Sequence, residues 1–463
     1  MMCLPRPGHE NDYFVLHLER GPGFFERRLL NLTLVTGATS SDEGMVAFKN
    51  KRLFDNGNWL DYFQATQHAN GRDWWLVLSD SDPNADSRIF YTFFIGSDTT
   101  YLTHTQQFDI IESFPYIPIT YRTFTPNGEK LLIADYDKGV YILSFDRCSG
   151  LLSNPQFIPL KLSYGVAASP NSQLMYVTSN ELVVQFDLNT SDIGATADTV
   201  AIYDGFVDTF LGGVTRTHFG MPQVGLDGKI YYMSSTYWHY IAKPNLRGKD
   251  CNVIQHGLRG PVNGYSISYY PNYRLGPLDG SVCDTLGMDN RPVADFWWFA
   301  DSTLSVDFAD NSFYEPANWL WDFGDGSAMS QDTNPVHTFP AAGVYRVCLM
   351  VSNQYASDSI CKFVPVGVLS AQGDEDQADP TKPYVRISPN PADQSFHLDY
   401  RWPDAAARAH LYNMAGRLVY AIRLSEQQGR VTFDTSSLPA GVYFLNIAGN
   451  GTEMVWRKVI LAH

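Results

Sequence analysis

The segment His68-Ala-Asn-Gly-Arg-Asp73 holds the residue types best suited to chemistry in this chain. An imidazole and a carboxylate at this spacing could serve as an acid–base pair or as two ligands of a metal ion. If the fold encloses a central channel, His218 or His239 could complete such a cluster. A purely local role competes with this catalytic interpretation.

The local interpretation treats the same segment as a turn between two strands. Asn70 and Gly71 supply the tight bend, because both residue types tolerate left-handed backbone. Arg72 and Asp73 then form a local ion pair, and Trp74-Trp75 begins a buried strand. Turns of this composition are common, whereas a fold by itself confers no activity, so the local interpretation is favoured.

Other patterns that could carry chemistry are weak. The chain has no Gly-x-Ser-x-Gly, His-Glu-x-x-His, phosphate-loop or dinucleotide-binding pattern. Asp322 and Asp325 could hold a metal ion, but aspartates commonly cap a turn by accepting backbone N–H bonds. The acidic run Asp374-Glu-Asp376 lacks the spacing of a calcium loop. We therefore expect no catalytic residue, metal ligand or cofactor, and the sequence favours a non-enzyme without deciding the matter.

Aromatic side chains offer a second kind of site, a surface on which sugars could stack. The candidates are Trp59, Tyr237-Trp238 and Trp297-Trp298. Packing inside the fold is the favoured alternative for all of them. Because neighbouring residues of a strand point to opposite faces, we expect either Trp297 or Trp298 to be partly exposed.

The composition bounds the fold class and the partners. The chain has 463 residues, enough for about three domains, with 44% hydrophobic, 14% aromatic and 18% charged residues. Many short β-branched and aromatic runs separated by Gly and Pro predict an all-β architecture. The formal net charge of −16 disfavours nucleic acid and anionic lipid as partners. No apolar run is long enough to span a membrane.

Six cysteines are present and form no CxxC pair, which disfavours a zinc site. Cys348 and Cys361 lie at opposed positions on the two strands of a predicted hairpin, close enough for a bridge. Such a bridge would contribute roughly 3 kcal/mol and would fit an oxidising, extracytoplasmic location. A bridge between Cys251 and Cys283 is a weaker candidate. The sequence predicts no disulfide partner for Cys3 or Cys148.

Residues 1–278 repeat a pattern of short apolar strands joined by tight turns. Phe124-Thr-Pro-Asn-Gly128, Ala168-Ser-Pro-Asn-Ser172 and Leu226-Asp-Gly228 each precede two strand-like runs, and the steps between them are roughly 44 and 56 residues. Such repeats, with about four strands each, are typical of β-propeller blades. Each turn needs positive φ at Gly, or at Asn in its place. About five blade-like units are visible, whereas a closed ring often needs six or seven, so we expect an incomplete propeller in this sequence.

Residues 292–367 carry an alternating aromatic pattern. Trp319, Trp321 and Phe323 point to one face of a strand, and alternate residues of 345–351 do the same on another. If these faces oppose each other, they form the core of a two-sheet sandwich. With His337-Thr-Phe, the pattern resembles a PKD domain, an immunoglobulin-like sandwich that would act as a spacer or adhesive module. Its motif residues here, with Asp325 in a tight turn, are Trp321, Phe323, Gly324, Asp325 and Gly326.

Residues 384–463 contain three separated motifs and a basic-apolar end. The motifs are 385–391 (VRISPNP), 411–419 (LYNMAGRLV) and 438–445 (LPAGVYFL), and Arg457-Lys-Val-Ile460 comes near the end. Two prolines in the first motif suit an edge strand or a turn. The other two motifs each place a turn before or between strand-like runs. We expect a small β-sandwich.

These motifs resemble the type A C-terminal sorting domain of the bacterial type IX secretion system. The resemblance implies export across the outer membrane through that machinery, usually followed by removal of the domain. The polar, acidic segment 368–383 reads as a flexible linker and is where we expect the cut. The residues that carry the resemblance are Pro389, Asn390, Pro391, Gly416, Arg417, Leu438, Pro439, Gly441, Val442, Tyr443 and Lys458.

The resemblance gives an expected location and function. We expect a secreted or outer-surface protein that binds a glycan or protein. The first alternative is a secreted hydrolase or lactonase using the propeller channel, and the second is an architectural or gliding-adhesin component. Residues 67–75, and 270–277 with Cys283, are similar to the N-terminal part of secreted proteins that carry this sorting domain. The first residues, Met1-Met-Cys-Leu-Pro, lack the apolar core of a signal peptide. Since export needs one, we expect a truncated or misassigned N-terminus.

Overall fold

The structure is a computed structural model of the chain. It describes all residues except 21–27, 40–43, 56–59, 81–86, 111–119, 180, 211–212, 235–236, 260–269, 301–302, 368–383, 391, 403–406, 414–416, 425, 449–453 and 462–463. The chain divides into two compact units, Met1–Asn290 and Arg291–His463. Within the described ranges, none of the helices has the length and apolar character needed to cross a membrane.

The described part of the first unit contains five four-stranded antiparallel sheets, each a meander in chain order. The first two are β1 (Met2–Pro5), β2 (Tyr13–Arg20), β3 (Arg28–Thr36) and β4 (Met45–Phe54), then β5 (Leu60–Gln67), β6 (Trp74–Asp80), β7 (Arg88–Ile95) and β8 (Thr100–Phe108). The third and fourth are β9 (Thr120–Phe124), β10 (Lys130–Asp135), β11 (Gly139–Phe145) and β12 (Leu152–Pro159), then β13 (Gly165–Ala168), β14 (Leu174–Thr178), β15 (Leu182–Asp187) and β16 (Asp198–Ile202).

A hairpin, β17 (Val207–Phe210) and β18 (Gly213–Arg216), precedes the fifth sheet. That sheet is β19 (Pro222–Val224), β20 (Ile230–Met233), β21 (Tyr237–Ile241) and β22 (Val253–Arg259), and short 3-10 helices span Gly194–Thr196 and Gly248–Cys251. The first strands of four successive sheets, β5, β9, β13 and β19, lie side by side. Successive meanders that meet through their first strands are propeller-like blades, so the all-β, propeller-like prediction is confirmed.

Strand β6 shows why the sheets stack. All seven of its residues are buried, because the sheet packs on both faces. Leu76 and Leu78 enter the core shared with the first sheet, beside Leu16. Trp75 and Val77 point to the opposite face and join the core shared with the third sheet. The period-2 alternation of a strand thus supplies two interfaces at once.

The turns between the first and second strands follow the predicted chemistry, with one correction. Gly128 (φ 73°) and Gly228 (φ 74°) have left-handed backbone, as expected. In the remaining repeat, Ser172 (φ 59°) takes this conformation, and the prediction that Asn would do so is wrong. Asn171 instead accepts hydrogen bonds at Oδ1 from the Ser169 hydroxyl (2.6 Å) and the Gln173 N–H (3.2 Å).

The second unit begins with a two-sheet sandwich. One sheet contains β23 (Phe296–Ala300), β24 (Ser305–Asp310) and β26 (Val336–Thr338), and the other contains β25 (Asn318–Asp322), β27 (Gly343–Ser352) and β28 (Ser357–Val366). Trp321 and Leu349 are fully buried as predicted. The prediction that their strands oppose each other is wrong, because β25 and β27 pair directly within one sheet. The opposing face of the core comes from Phe296, Val306 and Phe308.

The C-terminal part of this unit is a second sandwich. Its sheets are β29 (Tyr384–Ser388), β30 (Ser395–Arg401) and β33 (Gln428–Asp434), and β32 (Leu418–Leu424), β31 (Ala407–Asn413), β34 (Gly441–Ala448) and β35 (Met454–Leu461), each in spatial order. A buried cluster that includes Phe396, Leu411 and Leu445 fills the space between them. The expected small β-sandwich is therefore present.

Two disulfide bonds cross-link the chain. Cys348 and Cys361 are direct cross-strand partners, with Cα atoms 4.0 Å apart. Cys283 is bonded to Cys148, so the suggested Cys251–Cys283 bridge is wrong. Cys251 is a buried free thiol, and Cys3 is free and exposed. The Cys148–Cys283 bond joins positions 135 residues apart, a distance that sequence spacing could not reveal.

Candidate functional sites

The His68–Asp73 segment is the turn between β5 and β6. Gly71 has φ 76°, and Asn70 Oδ1 accepts the backbone N–H groups of Arg72 (3.1 Å) and Asp73 (3.0 Å). The Asp73 carboxylate is buried and receives hydrogen bonds from Asn70 Nδ2 (2.7 Å) and Arg72 Nε (2.9 Å). These are the contacts of the local interpretation, in which the polar residues build the turn.

The His68 side chain is buried and makes structural contacts. Its Nδ1 accepts the backbone N–H of Asn70 at 2.9 Å, and its ring lies against Trp75 and Phe94, with centroids 5.1 and 5.5 Å away. Burial lowers the pKa of His68, and the nearby Asp73 carboxylate partly offsets that effect. The side chain therefore acts as a neutral packing group that caps the turn.

His239 belongs to a different cluster. Its Nε2 donates to the Thr217 carbonyl at 2.8 Å, and its Nδ1 accepts the backbone N–H of His256 at 3.3 Å. Burial, followed by the proximity of His256, lowers the pKa of His239 to about 4. His256 Nε2 in turn contacts the Asp204 carboxylate at 2.9 Å. His218 packs on Tyr203 and directly follows Thr217, whose carbonyl His239 contacts, whereas His68 lies in the turn between β5 and β6.

No group of three His, Cys, Asp or Glu side chains in the described ranges has the geometry to hold a metal ion. The proposed cluster of His68 with His218 or His239 is not formed by the contacts that the structure gives those residues. The best catalytic candidate of the sequence is thus a set of turn and packing residues.

A segment that we call the strap, residues 271–284, contacts strand β1 of the first sheet and turns of the second and third sheets. The Tyr273 hydroxyl donates to the Cys3 carbonyl (2.6 Å), and Asn272 Nδ2 donates to the Pro126 carbonyl (2.8 Å). The Leu278 N–H donates to the Ala69 carbonyl (2.8 Å). These acceptors belong to the first, third and second sheets in that order, so the strap joins the three sheets, and the Cys148–Cys283 bond anchors it covalently.

Arg147 is the residue at this site that sequence reasoning missed. Its side chain is buried, and its guanidinium donates to the carbonyls of Gln67 (2.9 Å), His68 (3.4 Å) and Gly276 (2.5 Å). It thereby links the His68 turn to the strap. The only hint in the sequence was its place beside Cys148, which required knowledge of the disulfide pairing.

The PKD motif forms a packed turn in which Asp325 contacts His337. Asp322 and Asp325 each cap it, accepting the N–H groups of Gly324 (2.9 Å) and Ser327 (3.0 Å), as the capping interpretation predicts. Asp325 Oδ2 also meets His337 Nε2 at 2.7 Å. Burial acts to raise the pKa of Asp325, but hydrogen bonds from Ser327 and His337 outweigh it and bring that pKa to about 2.

Aromatic packing holds this turn against the sandwich. Phe323 stacks face to face on His337, with centroids 3.8 Å apart, and the Trp321 indole donates to the Asp332 carbonyl at 2.8 Å. Gly324 has φ 72°, and a Cβ there would lie 2.4 Å from the Arg346 carbonyl oxygen. Gly326 also has positive φ, 82°. The motif residues therefore have structural roles in the turn.

The described aromatic residues proposed as sugar platforms pack against neighbouring side chains or are half-buried. Trp298 packs against the PKD core, while Trp297 lies on the opposite face of β23 and is half-buried. Tyr237 packs edge-on against Phe206, with centroids 5.4 Å apart, and Trp238 is half-buried. Trp59 lies outside the described residues.

The sorting-motif residues lie at turns of the C-terminal sandwich and in strands β34 and β35. Pro389 is exposed after β29, and the half-buried Asn390 accepts the Ile460 N–H at Oδ1 (2.8 Å). Arg417 donates its N–H to Asn413 Oδ1 at 3.0 Å. Gly441 begins β34, and Val442 and Lys458 lie in β34 and β35 with side chains outside the described set. Two motif residues lie wholly outside it: Pro391 and Gly416.

The Leu438-Pro-Ala-Gly motif closes the β33–β34 turn. Leu438 packs on the core of the sandwich, and its N–H donates to the Thr435 carbonyl at 2.9 Å. The Tyr443 hydroxyl donates to the carbonyl of the exposed Pro439 at 2.8 Å. The turn is thus fixed by one apolar anchor and by two hydrogen bonds.

Comparisons with known proteins identify two segments. The family model for a PKD domain matches residues 297–366, and the model described as a secretion system C-terminal sorting domain matches residues 386–462. The search of curated proteins found no match. The PKD1 domain of Vibrio anguillarum Epp is 32% identical over 18% of this chain and 99% of its own, with a TM-score of 0.17.

Two further solved structures align with a larger share of the chain at lower sequence identity. The Dos1 propeller is 9% identical and aligns with 55% of this chain and 67% of its own, with a TM-score of 0.34. A putative 6-phosphogluconolactonase from Bacteroides uniformis is 9% identical and aligns with 92% of this chain and 100% of its own, with a TM-score of 0.37. Neither likeness bears on activity.

Proposed function

Because the chain carries a PKD domain and a type IX secretion C-terminal sorting domain, we propose that it is an exported binding or adhesion protein. The sorting domain assigns it to the secreted or outer-surface fraction and implies an interaction with the secretion machinery. The propeller-like unit would present the ligand-binding surface, and the PKD domain would act as a spacer or adhesive module. The observation that carries the proposal is the sorting domain at residues 386–462.

The strap supports a binding role rather than an enzymatic one. The turns that could have offered His68 and Asp73 for catalysis are instead joined to the strap through Arg147 and Ala69. Rigid turns of this kind suit a platform for recognition. The hydrolase alternative loses its best candidate residues to these contacts.

The domain organisation completes the proposal. We take residues 1–278 as the propeller-like domain, 292–367 as the PKD-like domain, 368–383 as the linker and 384–463 as the sorting domain. The linker lies outside the described residues, and its acidic, polar sequence makes it the proposed site at which the sorting domain is removed. Mass spectrometry of the exported protein should find a C-terminus between 368 and 383, and an intact His463 in that form would contradict removal.

A cell-binding assay tests the ligand. Purified exported protein is added to intact cells of the producing strain, to protease-treated cells and to periodate-treated cells. Binding lost only after periodate would identify a glycan ligand, and binding lost only after protease would identify a protein ligand. A protein that binds none of these surfaces but hydrolyses a lactone or ester would contradict the proposal and support the enzyme.

A further inference from the structure

Two segments of the sorting domain that are far apart in sequence meet at the edge of one sheet. The Ile460 N–H donates to Asn390 Oδ1 at 2.8 Å, and the Ala392 N–H donates to the Ile460 carbonyl at 2.8 Å. Ala392 also forms an isolated parallel bridge with Leu461. Both backbone groups of Ile460 are therefore bonded to the segment that opens the domain. We call these four residues the clasp.

Two of the four clasp residues belong to the packed core, whereas Asn390 and Ile460 are half-buried. Ala392 is 1% exposed and Leu461 is 2% exposed, and both belong to the apolar cluster of the sandwich. Pro389 stands just before Asn390, where its fixed φ limits the paths that the chain can take into the clasp. The hydrogen bonds and the buried side chains thus hold the same geometry.

The clasp covers part of the open edge of strand β35. Strand β35 is the last of its sheet and pairs on one side with β34, so its other side would present unpaired N–H and C=O groups. Such an edge frays or pairs with other chains. Asn390 covers one of these N–H groups with a side-chain oxygen, which an apolar side chain cannot do. The position of the C-terminal strand therefore depends on a residue near the start of the domain.

We propose that the export address is composite, built from Asn390 and Ala392 together with residues 459–461, and that Asn390 is the positioning residue that joins them. The secretion machinery would then recognise the closed arrangement rather than either segment as a linear tag. This inference rests on the proposed role of the domain as the export signal. It predicts that damage to either segment has the same effect on export.

Four variants of the full chain test the inference. Asn390→Leu removes the acceptor, Ile460→Pro removes the donor, and Asn390→Asp keeps an acceptor oxygen at the same reach. Gln394→Leu is the matched control, because it replaces an exposed amide close to the clasp. The readouts are the exported fraction of the protein and hydrogen exchange of the Ile460 and Ile447 amides.

The expected pattern separates a positioning role from a folding defect. Asn390→Leu should lower export about fivefold, the effect of losing one hydrogen bond of about 1 kcal/mol, and speed exchange at the Ile460 amide while Ile447 stays protected. Asn390→Asp and Gln394→Leu should export as the parent does. The double variant of Asn390→Leu with Ile460→Pro should be exported as well as whichever single variant is exported least. If Asn390→Leu also exposes Ile447, the smaller change Asn390→Ala takes its place.

Normal export of Asn390→Leu with a rapidly exchanging Ile460 amide would overturn the inference. Multiplied losses in the double variant would also overturn it, since the two segments would then act independently. Deletion of residues 384–463 distinguishes this failure from that of the proposed function. If the deletion blocks export and the clasp variants do not, only the composite address fails; if the deletion has no effect, the sorting role fails.

Discussion

Loss of the Cys148–Cys283 bond should destabilise the first unit more than loss of the Cys348–Cys361 bond destabilises the PKD sandwich. The bond anchors the strap, and its partners are 135 residues apart. In the chain-entropy description a cross-link stabilises by restricting the unfolded chain, and a loop of this length corresponds to roughly 5 kcal/mol at 25 °C. The double variant Cys148→Ser with Cys283→Ser should therefore lower the free energy of unfolding of residues 1–290 by about that amount.

The second disulfide is the matched control, because it has the same chemistry and a much shorter loop. Cys348 and Cys361 are 13 residues apart, which corresponds to roughly 3 kcal/mol. Burial raises the pKa of the Cys251 thiol to about 12. Cys251 therefore stays protonated and does not take part in thiol–disulfide exchange with either bond. Serine substitution removes each bond without a reductant.

Guanidinium unfolding of the full chain, followed by peptide-resolved hydrogen exchange, reports each unit separately. The Cys148/Cys283 variant should destabilise peptides of residues 1–290, and strap peptides should exchange earliest. The Cys348/Cys361 variant should destabilise only the PKD sandwich. A smaller loss at the long loop than at the short one, or unchanged exchange in the strap, would refute the reasoning.

Three further changes probe individual residues. Gly324→Ala should destabilise the PKD sandwich by at least about 2 kcal/mol, since it adds left-handed strain and a contact with the Arg346 carbonyl; a melting temperature equal to that of the parent would contradict this. Folding lowers the pKa of His239 from 6.5 to about 4, so the folded state binds fewer protons than the unfolded chain. The free energy of unfolding should therefore fall as pH drops from 6.5 towards 4, by about 2 kcal/mol at pH 5. Urea unfolding at pH 8 and at pH 5 should show a smaller difference in His239→Gln than in the parent protein. The pKa of Asp325 is depressed to about 2 from 3.8, so its contribution is complete above pH 4 and is lost as pH falls towards 2; acid unfolding of Asp325→Asn should lack that part of the transition.

The sequence predicted what depends on neighbours along the chain. The repeated Pro-Asn-Gly turns indicated the meanders, and the alternation around Trp321 indicated a buried sandwich strand. The opposed spacing of Cys348 and Cys361 placed them on paired strands. Each of these depends on local periodicity or turn chemistry, which the chain encodes within about ten residues.

The sequence could not predict contacts that the fold creates between distant segments. The partner of Cys283, the three carbonyls around Arg147 and the contact of Asn390 with Ile460 all join positions that no period relates. The strand order of the PKD sandwich was wrong for the same reason, since alternation tells which face is buried but not which strand is adjacent. At Ser172 a side-chain hydrogen-bond pattern, not residue propensity, decided which residue took positive φ.

Localisation of the protein with and without residues 384–463, by cell fractionation and mass spectrometry, tests the central claim most directly. The full chain should reach the surface or the medium with its C-terminus trimmed between residues 368 and 383. The shortened chain should remain in the periplasm. Equal distribution of the two forms would contradict the account, because the C-terminal sandwich would then carry no export address.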